Sequence, residues 1–241
     1  MSQSKGAAID IPSSHDDAAI FHFPLGQAYS LDNDPQRAIE SYRATLVHDP
    51  KSALVRARLA AELVKVGDFA EARQLCEEAI KLDSKYVDSY LLLAGIEVAA
   101  KEYSSAIATY RRALAVAPGS RDALLYLGVT LAEIGKTHEG IDQLERLVKI
   151  KDSAESSIDQ SVAFYYLGKI YDQSNQKEKA IQAYRTSLKK RPGFAKAALA
   201  LSDIHIALHE VRQAYAVLEE AFAEGHSAEI AERLRSEEHT S

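Results

Sequence analysis

The sequence predicts an all-α protein built as a solenoid of six helix-turn-helix repeats, and three observations carry that prediction. A leucine recurs at Leu25, Leu59, Leu93, Leu127, Leu167 and Leu201, at intervals of 34, 34, 34, 40 and 34 residues. One position later stands a small residue each time: Gly26, Ala60, Ala94, Gly128, Gly168 and Ser202. Thirteen residues after each leucine comes a second small residue, at Ala38, Ala72, Ala106, Gly140, Ala180 and Ala214. A fixed period of this length marks a repeat array, in which each repeat buries its apolar face only against its neighbours.

Each repeat divides into two helices. In "SALVRARLAAELVKVGDFAEARQLCEEAIKL" the apolar residues keep helical spacing, break at Gly67-Asp68 and resume as a second amphipathic run. The small residues fall where the two helices cross, and a bulkier side chain there would force the axes apart. Four residues beyond the second small position stand Tyr42, Cys76, Tyr110, Leu144, Tyr184 and Leu218, which fill the space left. Pro50, Pro118 and Pro192 close three of the repeats, because proline lacks an N–H and restricts the residue before it.

The repeats are therefore placed at 19–52, 53–86, 87–120, 121–154, 161–194 and 195–228. The 40-residue step puts six extra residues near "DSAESSIDQS". That insertion reads as a longer loop and an early start of the next first helix, with Ser157 and Gln160 as a capping box. Residues 1–18 read as a flexible N-terminal tail, and 229–234 as the start of a capping or next helix. Residues 235–241, "RSEEHTS", are what the common sequencing-adapter string AGATCGGAAGAGCACACGTCT encodes in its first frame. They are read as adapter sequence, and the natural chain is expected to continue beyond Leu234.

This 34-residue pattern resembles the tetratricopeptide repeat, over about residues 19–228. It departs from that family in having no Trp, in Arg56 and His22 at the first large apolar position, and in Asp152 and His226 for the closing proline. The resemblance implies a right-handed superhelix whose first helices line a concave groove that holds peptide ligands. Numbering each repeat from six residues before its leucine, positions 4, 7, 8 and 11 turn toward the second helix, and positions 2, 5, 9, 12 and 13 turn away. The face turned away is apolar in the middle repeats, and a helix apolar on both faces expects cover on both. The expected protein-binding groove is Ala57, Ala61, Val64, Leu91, Val98, Leu125, Val129, Ala132, Tyr165 and Lys169. Family members that grip the acidic C-termini of heat-shock chaperones carry a set of Lys, Asn and Arg side chains there. Here Phe23, Gln27, Arg58 and Asp88 stand in the first triplet, so that carboxylate-clamp reading fails.

Composition excludes several other functions. The net charge of -6 is spread over both halves, whereas a nucleic-acid binder presents a basic face. No run of about 18 apolar residues is present for membrane insertion, and the start lacks the apolar segment of a signal peptide. One cysteine excludes an internal disulfide framework, and the cytoplasm is the expected compartment. "GKT" at Gly135–Thr137 lacks the earlier glycine of a phosphate-binding loop and reads as the turn between two helices. His205 and His209 have the spacing of a zinc pair without a third ligand, and His205 stands where other repeats have Tyr29 and Tyr171, so it reads as core. Cys76 reads as a buried, inert thiol. No catalytic, metal or cofactor constellation is found.

The sequence thus indicates a non-enzymatic scaffold that binds a protein or peptide segment through apolar anchors. The alternative is the helical-repeat arm of a larger enzyme, such as a glycosyltransferase. Two further expectations follow. Glu97 and Arg73 replace core residues near the turn end of packed helices and are expected to pair, since an unpaired buried carboxylate is costly. The last repeat is expected to lack an adequate cap, to fray first, and to self-associate through its exposed end.

Overall fold

The computed structural model describes residues 15–151 and 158–238, and side-chain burial for 21–151 and 158–236. Thirteen helices and no strand occur among the described residues. The chain separates into two compact units, residues 1–117 and 118–241. The first holds α1 (His15–Leu31), α2 (Pro35–His48), α3 (Ala53–Lys65), α4 (Phe69–Leu82), α5 (Val87–Ala99) and α6 (Tyr103–Val116). The second holds α7 (Arg121–Glu133), α8 (Thr137–Val148), α9 (Gln160–Gln173), α10 (Lys177–Lys190), α11 (Ala195–Ala207), α12 (Val211–Gly225) and α13 (Ala228–Glu238). Within each unit a first helix packs along its own second helix, and that second helix packs on the first helix of the next pair. This is an α-solenoid.

The small residues sit at the helix crossings. Ala38, Ala60, Ala72, Ala94, Ala106, Ala180 and Ala214 are fully buried, as is Ser202. The glycines there are required by contact. A Cβ on Gly168 would stand 2.7 Å from the Tyr184 ring, and one on Gly26 would stand 2.7 Å from Tyr42. In the α7–α8 pair the backbones themselves meet, since a Cβ on Gly140 would lie 2.6 Å from the carbonyl oxygen of Gly128.

One turn recurs between first and second helices. Asn33, Gly67, Lys101, Gly135, Asn175 and His209 share its register, and each has φ between 57° and 86°. The next residue's N–H donates to a carbonyl five positions back, as in Asp68 to Leu63 at 2.9 Å and Lys136 to Leu131 at 2.9 Å. That pattern satisfies carbonyls left over at the helix end. Asp34 and Asp68 then cap the second helices, accepting from the N–H of Arg37 and Glu71. Gly135 lies in this turn and Thr137 opens α8, so the triplet follows a helix, α7, rather than a strand.

The insertion after α8 is tied at its base. Arg121, buried in α7, donates to the carbonyls of Ile158 at 2.8 Å and Ile150 at 3.2 Å, and also to that of Lys151. Gln160 adds bonds to the carbonyls of Val148 and Ile150. The expected capping box at Ser157 is not how α9 begins: Asp159 is the cap and accepts from Val162 N–H at 3.1 Å, while Arg191 holds its other oxygen at 2.6 Å. Ser157 and Asp152 lie outside the described residues, as do residues 1–14 of the expected tail and 239–241 of the "RSEEHTS" segment.

Beyond the sixth repeat the chain continues as a further helix. α13 runs for 11 residues, through Glu238, and buries Ile230 completely against Ala198, Leu218 and Ala221, with Leu234 packed beside them. Arg233 reaches back to Asp203 on α11 at 2.7 Å. Ile230, Leu234 and Arg233 are thus the side chains by which α13 packs on the α11–α12 pair.

Two substitutions test these packing claims. Gly140→Ala should lower stability by about 1–3 kcal/mol, because the added Cβ would meet the backbone carbonyl of Gly128 and no side chain there can yield. Lys101→Gly should raise it by about 1 kcal/mol, because only the lysine at this turn register is neither Gly, Asn nor His, and left-handed backbone disfavours it. Urea denaturation of the full chain measures both.

Candidate functional site

The candidate site is built from the first helices, on the faces turned away from their second helices. In the first compact unit Ala61, Val64, Leu91 and Val98 are half-buried, and Gly95 and Ala99 are exposed. Leu54, one turn into α3, is also exposed. Ala57, expected to line this surface, is only 5% exposed and belongs to the core. Beside this surface Glu62 takes the Ser30 hydroxyl at 2.6 Å and the Lys65 ammonium at 2.8 Å. Asp88 accepts from the Tyr86 hydroxyl at 3.1 Å.

In the second compact unit Val129 and Ala132 are half-buried and Lys169 is exposed. Leu125, expected as a leading anchor, is only 4% exposed and is corrected to a core residue. Its neighbour Tyr126 takes the surface role at 44% exposed. Tyr166 lies close enough to Tyr126 to act on its hydroxyl, which burial, Asp122 and Tyr166 together hold above the usual tyrosine range. Tyr165 stands edge-on to Tyr166 at 5.1 Å. It is also wedged against Tyr184 and Phe194 at 6.0 and 5.5 Å, so much of its ring is committed to packing. Tyr126 and Tyr166 were missed because both stand at position 6. That position lies only 20° beyond position 13 at 100° per residue, and a wider arc would have included it.

The remaining candidates for chemistry are structural. Cys76 is fully buried and burial pushes its thiol up to about 12, far from a reactive thiolate. His205 is buried, and its Nδ1 lies 2.6 Å from Glu210 Oε2. His209 sits apart in the exposed turn. No group of three or more metal-ligating side chains occurs among the described residues, and no described helix is long and apolar enough to cross a membrane.

The expected Glu97–Arg73 pair does not form. Arg73 binds Glu102 at 2.9 Å, near the solvent-exposed start of α6, where keeping a carboxylate ionised costs less than in the core. Glu97 stays buried with one oxygen unpartnered. Burial raises its pKa most, Glu102 adds to that, and the Thr109 hydroxyl and the charges of Arg73 and Arg112 offset part of it.

Profiles of the tetratricopeptide repeat match residues 24–54, 57–120, 96–155 and 161–194. Stress-induced-phosphoprotein 1 of Caenorhabditis elegans is 34% identical over 98 residues, covering 41% of this chain and 31% of that protein. The chain spans 12% of two further curated relatives. Among solved structures, the type IV pilus biogenesis factor PilW superposes with a TM-score of 0.73 at 18% identity, covering 90% of this chain and 97% of that one. YrrB, described as a TPR protein with an unusual peptide-binding site, gives 0.56 at 18% identity, covering 83% and 100%.

A pH-dependent prediction follows from Glu97. An unfolded glutamate titrates near ~4.3 and Glu97 titrates higher in the fold, so its contribution is greatest below the unfolded value and is lost as pH rises through the folded one. Glu97→Leu, the residue type found in this register at Leu63 and Leu131, should raise the melting temperature at pH 7 by roughly 2–4 °C. The gain should shrink as the pH is lowered toward 4. Thermal scans across that range check both.

Proposed function

We infer the role from one premise: this chain belongs to the tetratricopeptide repeat family. On that premise the protein is a non-enzymatic interaction scaffold that takes a protein segment on the free faces of its first helices. The observation that carries this reading is the exposed Tyr126 standing close to the half-buried Tyr166 in the second compact unit, with Val129 and Lys169 three residues further along the same two helices. Tyrosine offers a large apolar face and a polar tip at low entropic cost, which suits a surface that must hold a segment. Leu54, Leu91 and Val98 offer a second apolar surface in the first compact unit. The peptide-binding site named for YrrB supports the same class of ligand.

A second reading has one observation in its favour. The chain spans from 12% to 31% of the curated relatives it matches, so repeats of this kind also occur inside much longer proteins. In that reading the same surface is an arm that positions a partner for a catalytic domain elsewhere in the chain.

A segment that buries about 500 Å² of apolar surface gains about 12 kcal/mol gross at ~25 cal/mol per Å². Association costs ~4–15 kcal/mol, so affinity in the micromolar range is expected. Panning a displayed random-peptide library on the full chain should yield segments with clustered apolar residues. Val129→Asp and Tyr126→Ser should each weaken those segments by about tenfold or more, while the melting curve moves by less than about 0.5 kcal/mol. Lys169→Ala should weaken them only a few-fold. Selected segments that bind both variants as tightly as the parent chain would remove this assignment.

A further inference from the structure

A cleft of about 720 Å³ opens in the second compact unit between α10 and α12, with Leu201 and His205 of α11 at its base. That volume lies within the ~300–1,000 Å³ range of small-molecule sites. Its two walls carry opposite charge. α10 presents Arg185 and Lys189, whereas α12 presents Glu220 and Glu224. None of the four belongs to an ion pair among the described residues. Leu188 and Val217 give the space between the walls an apolar lining.

The base holds an unsatisfied polar atom. His205 is only 2% exposed, and its Nδ1 lies 2.6 Å from Glu210 Oε2. A carboxylate can only accept, so the ring donates through Nδ1–H to Glu210, and in its neutral form it keeps a lone pair on Nε2. That Nε2 has no hydrogen-bond partner. A buried acceptor left in this state costs free energy that a ligand N–H would recover.

We propose that this cleft binds a free aromatic amino acid whose ring carries an N–H, with tryptophan as the fitting case. The carboxylate faces Arg185 and Lys189, and the ammonium faces Glu220 and Glu224. The indole lies on Leu188 and Val217. Its N–H, which can only donate, is directed at the unpartnered His205 Nε2 at the base of the cleft. A free amino acid is required because a peptide's last residue lacks the ammonium and its first residue lacks the carboxylate. This site is separate from the free faces of the first helices and does not depend on what binds there.

Isothermal titration of the full chain tests the proposal. L-Tryptophan should bind saturably, with a dissociation constant below about 1 mM. Tryptamine, N-acetyl-L-tryptophan and L-phenylalanine should each bind at least about tenfold more weakly, since each lacks one of the three matched groups. Glu220→Gln with Glu224→Gln, both at exposed positions, should cost tryptophan a similar factor. His205→Leu should abolish the preference for tryptophan over phenylalanine. Absence of saturable tryptophan binding at about 5 mM, or equal affinity for tryptophan and any of the three analogues, would overturn it.

Discussion

The close crossing of the two helices in each pair is the constraint from which the rest of the architecture follows. It is set by two small residues and one larger one that fills the space between them. Where the larger residue is Tyr42 or Tyr184, the facing residue is Gly26 or Gly168, and a Cβ would enter the ring. Where it is Cys76, Ala60 suffices, and where it is Leu144 two glycines bring the backbones together. The filling residue thus varies from Cys to Tyr while its two neighbours at the crossing stay small, and Tyr110 is accommodated beside Ala94 rather than a glycine. Packing at crystal-like density allows that exchange and little else.

Fixing the crossing leaves positions 9 and 13, on the opposite face of each first helix, with little structural duty, whereas position 5 of that face is drawn into the core at Ala57 and Leu125. That is why the same register holds Ala61 in one repeat, Val129 in another and Lys169 in a third. A solenoid is stabilised by nearest-neighbour interfaces, so a change on that face alters the surface chemistry with little effect on the stack. Function on such a scaffold is written in side chains that the fold does not need. Tyr126 and Tyr166 fit that description better than Tyr165, whose ring is shared with Tyr184 and Phe194.

The periodic part of this molecule was legible in its residues. Helix pairs, crossing glycines, the fate of Cys76 and His205 and the Gly135–Thr137 turn all follow from recurrence at 34 residues. What recurs only once was not legible. Arg121 occupies the first position of an ordinary helix, and nothing local shows that its guanidinium ties down carbonyls some thirty residues later. Ala57 and Leu125 satisfy the angular test for a free face yet are buried, because helical angles describe one helix and burial depends on its neighbours. The Glu97–Arg73 expectation failed for a related reason. Proximity suggested a pair, but Glu102 offered the same charge with less desolvation.

Unsatisfied polarity is distributed in a way that fits this division of labour. Of the six buried side-chain polar atoms without a partner among the described residues, those of Glu62, Ser89, Glu97, Ser202 and His205 lie on first helices, and that of Tyr215 lies on a second helix. Each costs about 1–3 kcal/mol, which a compact domain with a single cooperative core would tolerate poorly. An array spreads such costs over many interfaces, so a local penalty weakens one pair without unfolding its neighbours. The first helices, which carry the variable surface, are thus also the elements packed furthest from their stability optimum. Stabilising substitutions should therefore be easiest to find on α3, α5 and α11, at positions such as Glu97 that face inward and leave the binding faces untouched.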